Sequence, residues 1–108
     1  MREYFVVLKM KEINIGYIEE GRTHYISLPI RVPLPYERFK EVLKKVKEMG
    51  FKVKNYTKKL EDTGLVKAYK IYTHLETPEG RYRLKSIRVV NGEDRVYVQG
   101  EVAEIKKT

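Results

Sequence analysis

The sequence predicts an α+β fold in which a single helix packs on one face of an antiparallel sheet of about six strands, in the order ββαββββ. Apolar and polar residues alternate through most of the chain, whereas one segment repeats its apolar residues at helical spacing. Turn residues separate the alternating segments. The 108 residues fit one domain, so residues 1–108 are expected to fold together.

Two strand segments are predicted before the helix. The first covers residues 3–17, and its apolar phase changes near Lys11, which indicates a β-bulge or a break. A turn leads to the second, residues 23–34, which contains two prolines. Because proline cannot donate a ladder hydrogen bond, we expect this second segment to be an edge strand.

The helix is predicted over residues 35–49. Its apolar residues at helical spacing are Tyr36, Phe39, Val42, Leu43, Val46 and Met49. Pro35 suits the first turn, and Gly50 is expected to end the helix in a left-handed conformation.

Four strands are predicted after the helix. They begin near Phe51, Leu65, Arg81 and Arg95. Glycine-containing turns separate them, and the Asn91-Gly92 pair is a strong hairpin signal. One helix covers only one face of such a sheet, so function is expected on the open face or at a contact between subunits. The last residues, 106–108, are expected to fray.

Composition excludes several classes of site. The chain lacks cysteine, which rules out disulfides, cysteine-ligated zinc and thiol catalysis. It contains no apolar run long enough to span a membrane and opens directly into a strand pattern. We therefore expect no signal peptide, no membrane partner and a cytoplasmic location. Abundant Lys and Glu with few thermolabile residues indicate a thermophilic source, archaeal or viral.

The net charge of +8 is concentrated in one segment. Residues 1–37 are neutral and residues 60–108 carry +1, whereas residues 38–59 carry +7. Concentrated positive charge is typical of a surface that binds polyanions. The alternative is a solvated, lysine-rich helix that contributes only solubility.

Basic and aromatic residues interleave on the predicted strands. Residues two apart on a strand share a face, which aligns cations with tyrosines. The candidate nucleic-acid-binding residues are Lys52, Lys54, Tyr56, Lys58, Lys70, Tyr72, Arg81, Arg83, Lys85, Arg95 and Tyr97, with Lys44 and Lys45 of the helix and Tyr25 and Arg31 of the edge strand as additions. In such a pattern cations hold phosphates and tyrosine rings stack on unpaired bases.

We therefore predict a nucleic-acid-binding protein without sequence specificity, which prefers single-stranded DNA or RNA and forms a homodimer. The alternative is a small homodimeric interaction or inhibitor protein that binds an acidic protein partner through the open sheet face and the edge strand. A solvated sheet face would explain the same residues without any partner.

No pattern in the chain predicts catalysis, a metal or a cofactor. His24 and His74 have no partner at metal-ligand spacing, and adjacent acidic residues point to opposite faces of a strand. The glycines are scattered rather than grouped in a phosphate-binding loop. An enzyme with a barrel fold that acts on triphosphates would need acidic residues two apart on one strand, and the absence of such a pair from the predicted strands argues against this class. A cleft that places either histidine beside a carboxylate would favour an enzyme instead.

Overall fold

The structure is a computed structural model that describes residues 1–105, so the expected fraying of residues 106–108 lies outside it. Within these residues the fold is α+β with one helix and two antiparallel sheets, of three and five strands, which confirms the predicted class. The elements are β1 (Glu3–Lys9), β2 (Glu12–Glu19), β3 (Arg22–Pro29), β4 (Leu34–Pro35), α1 (Tyr36–Glu48), β5 (Lys52–Asp62), β6 (Lys67–Glu76), β7 (Arg81–Val90) and β8 (Asp94–Ile105).

The first sheet is a meander of β1, β2 and β3. The change of apolar phase near Lys11 proves to be the tight reversal between β1 and β2. Val6, Ile13, Ile15 and Leu28 lie on one face of this sheet and are buried in the core. As predicted from the prolines of residues 23–34, β3 lies at an edge.

The predicted edge segment, residues 23–34, is divided between the two sheets. β3 ends at Pro29, and Arg31 takes a left-handed φ of 60°. The Arg31 N–H donates to the Val98 carbonyl at 2.8 Å, after which Leu34–Pro35 pairs with the edge of β8 as β4. Because the prolines lack the N–H that a ladder needs, they favour this change of sheet.

The second sheet has the order β4-β8-β7-β6-β5, and its four long strands form an antiparallel meander. One face carries buried side chains, among them Ile71, Leu75, Leu84, Val96 and Val98. These belong to the same apolar cluster as the helix and the first sheet. The opposite face of the second sheet is turned away from the helix, and we call it the outer face.

The helix α1 begins and ends within one residue of its predicted bounds. Its buried side chains are Phe39, Val42, Leu43 and Val46. Gly50 follows with a φ of 114°, as its predicted left-handed role requires. Neither α1 nor any other helix within residues 1–105 has the length and apolar character needed to cross a membrane.

Candidate nucleic-acid interface

The outer face of the second sheet gathers the cations and tyrosines predicted on the strands. Directly opposed residues on neighbouring strands point to the same side of a sheet. The pairing therefore places eleven candidates together: Lys52, Lys54, Tyr56, Lys58, Lys70, Tyr72, Arg81, Arg83, Lys85, Arg95 and Tyr97. We call this set the basic sheet face.

These residues form rows that cross the strands. One central row contains Lys54, His74 and Arg83. The row next to it contains Tyr56, Tyr72 and Lys85. Neighbouring strands lie about 4.8 Å apart, and rows on one face follow each other at about 7 Å. Cationic and aromatic groups are therefore spaced closely in both directions of the sheet.

Cations on the basic sheet face outnumber the carboxylates that could neutralise them. Three have partners: Arg81 pairs with Glu76 at 3.2 Å, Lys85 with Glu101 at 3.0 Å and Arg95 with Glu93 at 3.1 Å. The other five make no ion pair within residues 1–105: Lys52, Lys54, Lys58, Lys70 and Arg83. This surplus creates a positive potential that favours anions.

Some of these cations lie close enough together to repel each other. Lys58 lies directly opposite Lys70, and like charges in such positions destabilise a β-sheet. Lys70 Nζ and Arg83 Cζ lie 5.7 and 5.6 Å from the ring centroid of Tyr72. The Arg83 Nε is buried without a hydrogen-bond partner among the described residues. A bound anion near Tyr72 would relieve the repulsion between these cations.

A shallow depression of about 320 Å³ lies at the centre of the basic sheet face, lined by Tyr56, Tyr72, His74, Arg83 and Lys85. The half-exposed Tyr56 ring is tilted against His74, with ring centroids 4.8 Å apart. The volume is at the lower end of the range for small-ligand sites, about 300–1,000 Å³. A planar base could contact the rings here while a neighbouring phosphate meets the cations.

The pKa of His74 is lowered from its ordinary value, first by burial and then by the positive charges of Arg81 and Arg83. We expect Arg83→Gln to raise this pKa, since it removes one of those charges. The imidazole C–H shifts in an NMR titration measure it, and His24→Gln assigns the two histidine signals. A pKa unchanged by Arg83→Gln would contradict the close approach of these two side chains.

The same shift predicts how stability depends on pH. An unfolded chain takes up a proton on this histidine near pH 6.5, whereas the folded chain does so only at lower pH. The contribution of His74 to stability is therefore fully present above about pH 6.5 and decreases as the pH falls below that value.

Sequence reasoning missed two members of this site. The sequence analysis does not place His74 among the nucleic-acid-binding candidates, although its alternation with Tyr72 and Lys70 on one strand indicates the shared face. Glu101 has no such signal, because it reaches Lys85 at an irregularity in the register between β7 and β8. The ion pair with Lys85 lowers the pKa of Glu101 and keeps it charged.

Other candidates lie outside the basic sheet face. Lys44 and Lys45 are exposed on α1, whose opposite side is buried against the core, so the second sheet separates them from the outer face. Tyr25 belongs to the first sheet, and Arg31 lies in the connection between the sheets. Only the strand half of the +7 segment therefore contributes to the basic sheet face.

The two histidines lie on different sheets and do not form one site. His24 stacks against Tyr17 in the first sheet, with ring centroids 4.9 Å apart. Among residues 1–105, no group of three or more His, Asp or Glu side chains could hold a metal ion.

The basic sheet face thus brings eight cations and three tyrosines to one side of the second sheet. Its functional assignment rests on its own geometry, because comparisons with protein families, curated proteins and solved structures find no match for this chain.

Proposed function

We propose that the protein binds single-stranded nucleic acid in the cytoplasm, without sequence specificity, through the basic sheet face. The observation that carries the proposal is the presence of five strand cations that have no carboxylate partner within residues 1–105, interleaved with three tyrosines on one open face. Cations of this kind hold phosphates, and contacts to phosphates carry no direct information about sequence.

The tyrosines favour a single strand over a duplex. Tyr56 and Tyr97 are partly exposed on an open sheet, where an unpaired base can lie on a ring. Rows about 7 Å apart match the spacing of an extended strand of nucleotides. A duplex, by contrast, is usually read by a helix in the major groove, and α1 lies on the other side of the sheet.

Salt dependence of the affinity for a labelled oligonucleotide tests the proposal. If each of these five cations meets one phosphate of a single strand, log K should fall with log salt at a slope of about −3.5. The affinity should then decrease roughly 100-fold between about 50 and 200 mM salt. Absence of binding at low salt would refute the proposed function.

Two competitors separate nucleic acid from other polyanions. Polyglutamate supplies carboxylates without bases, so it should compete far more weakly than an unlabelled single strand of equal charge. A duplex of the same sequence should also compete more weakly. Equal competition by polyglutamate would instead favour the alternative function, binding of an acidic protein partner.

The pKa of His74 gives a second readout of the same site. A bound phosphate near Arg83 favours the charged imidazole, so the His74 pKa should rise when the oligonucleotide is added. Binding at this site is then linked to proton uptake and becomes tighter as the pH falls towards 6. A His74 signal that is unaffected by saturating oligonucleotide would place the bound strand elsewhere.

A further inference from the structure

The first sheet has a second face that carries exposed apolar side chains. Tyr4, Val6 and Leu8 of β1 point towards the core side, so Phe5 and Val7 point the opposite way. On this opposite side Val7, Ile18 and Tyr25 are 41%, 37% and 57% exposed. Apolar groups grouped on one sheet face, rather than scattered singly, are typical of contacts with another macromolecule.

This apolar face contains a groove of about 390 Å³. Phe5, Gly16 and Tyr25 are directly opposed on the three strands, so a residue without a side chain lies between two aromatic rings. The next row contains Val7, Asn14 and Ser27, and the Ser27 hydroxyl donates to Asn14 Oδ1 at 2.7 Å. The first row therefore has large side chains at both ends, and the side chains of the second row are smaller.

Charge makes this face suitable for a second copy of the chain. The protein carries a net charge of +8, so two copies repel each other when their basic surfaces approach. The charged residues on the apolar face are Glu3, Lys9 and Glu12, which together give no positive excess. Two copies can therefore approach through this face without the repulsion between basic surfaces.

The charges are also arranged so that the face complements itself. Along β1 the exposed side chains run in the order Glu3, Phe5, Val7 and Lys9. A two-fold axis across the strands places β1 antiparallel to β1 of the second copy, because isologous contacts use the same patch twice. Glu3 of each copy then lies opposite Lys9 of the other, and Phe5 lies opposite Val7.

We propose that the protein forms a homodimer through the outward, apolar face of its three-stranded sheet. The strands have seven or eight residues, so the face measures roughly 25 by 15 Å and the contact buries on the order of 1,000 Å² in total. This area is at the low end for specific interfaces, and the dimer dissociates in the micromolar range. The contact shares no residue with the basic sheet face.

Sedimentation velocity between about 1 µM and about 1 mM protein tests the dimer. The chain should change from monomer to dimer within this range. Glu3→Lys alone or Lys9→Glu alone should each raise the dissociation constant about tenfold, because two attractive contacts per dimer become repulsive. The double variant Glu3→Lys/Lys9→Glu restores the pairing with its charges exchanged, and its dissociation constant should return close to that of the original chain.

Two serine variants test the apolar part of the contact. Tyr25→Ser should weaken the dimer at least about tenfold, since it removes an exposed aromatic ring from the face. Leu65→Ser is the control, because Leu65 is 88% exposed in the turn between β5 and β6, outside this sheet. A chain that is monomeric throughout, a double charge variant that is not rescued, or equal effects of both serine variants would each overturn the proposal.

Discussion

Reversing two charges on the basic sheet face, Lys70→Glu together with Arg83→Glu, should lower the affinity for a single-stranded oligonucleotide by about 100-fold or more. Both side chains lie within 6 Å of the Tyr72 ring centroid and have no carboxylate partner among the described residues. If these side chains hold phosphates as proposed, the substitutions remove two phosphate contacts and place two negative charges beside the bound strand. The salt slope of log K should become shallower by about 1.4. Fluorescence anisotropy at several salt concentrations measures both quantities.

Lys70 and Arg83 are better positions for this charge-reversal test than the lysines of β5. That strand is an edge of the sheet, and lysines on an edge also prevent unwanted pairing with other chains. Lys70 and Arg83 lie on interior strands, where such protection is not needed. A loss of affinity at these two positions therefore reports on binding rather than on aggregation.

The matched control is Lys44→Glu together with Lys45→Glu on α1. It changes the net charge by the same amount, but it acts on the other side of the sheet. We expect less than about a fivefold loss of affinity, because exposed charges beyond a Debye length of about 10 Å are largely screened at 0.1 M salt. Equal losses in the two variants would show that net charge, and not the basic sheet face, determines binding.

Gly16→Ala should destabilise the fold by about 3 kcal/mol or more, which lowers the melting temperature by roughly 15 °C. A Cβ at this position would clash with the His24 carbonyl oxygen and lie 2.7 Å from the Cα of Tyr25. Both are backbone atoms of the paired strand β3, which cannot move away without loss of the β2–β3 ladder. Denaturant unfolding followed by circular dichroism measures the change.

Gly100→Ala is the matched control for this prediction. Its added Cβ would lie 3.3 Å from the Cδ1 methyl of Ile30, which is the flexible end of a side chain. We expect a change below about 1 kcal/mol. If Gly16→Ala were equally mild, the close approach of β2 and β3 in the structure would be contradicted.

Local patterns predicted the elements well where one physical preference dominates. The helix follows from six apolar residues at helical spacing, and its predicted end at Gly50 agrees with the observed positive φ. The Asn91-Gly92 signal lies at the turn between β7 and β8, where Gly92 has a φ of 87°. Alternation on β7 also identified Arg81, Arg83 and Lys85 as neighbours on one face.

The division into two sheets could not be predicted in this way. Alternation shows which residues of a strand share a face, but the choice of neighbouring strands depends on long-range pairing. The chain leaves the first sheet at Arg31, whose left-handed φ belongs to a residue type with no local preference for it. The apolar face of the first sheet could not be predicted either, because β1 has apolar residues on both sides and alternation does not show which side is buried.

By itself, the sequence determined the α+β class, the helix, most strand positions and the alternation of cations with tyrosines. These features depend on spacing within one segment, which a short stretch of chain fixes. Only the tertiary structure decided that β5, β6, β7 and β8 present their cations on one face, while Lys44 and Lys45 lie on the other side. That outcome depends on strand order and on the face the helix covers, which are set by burial of the shared core.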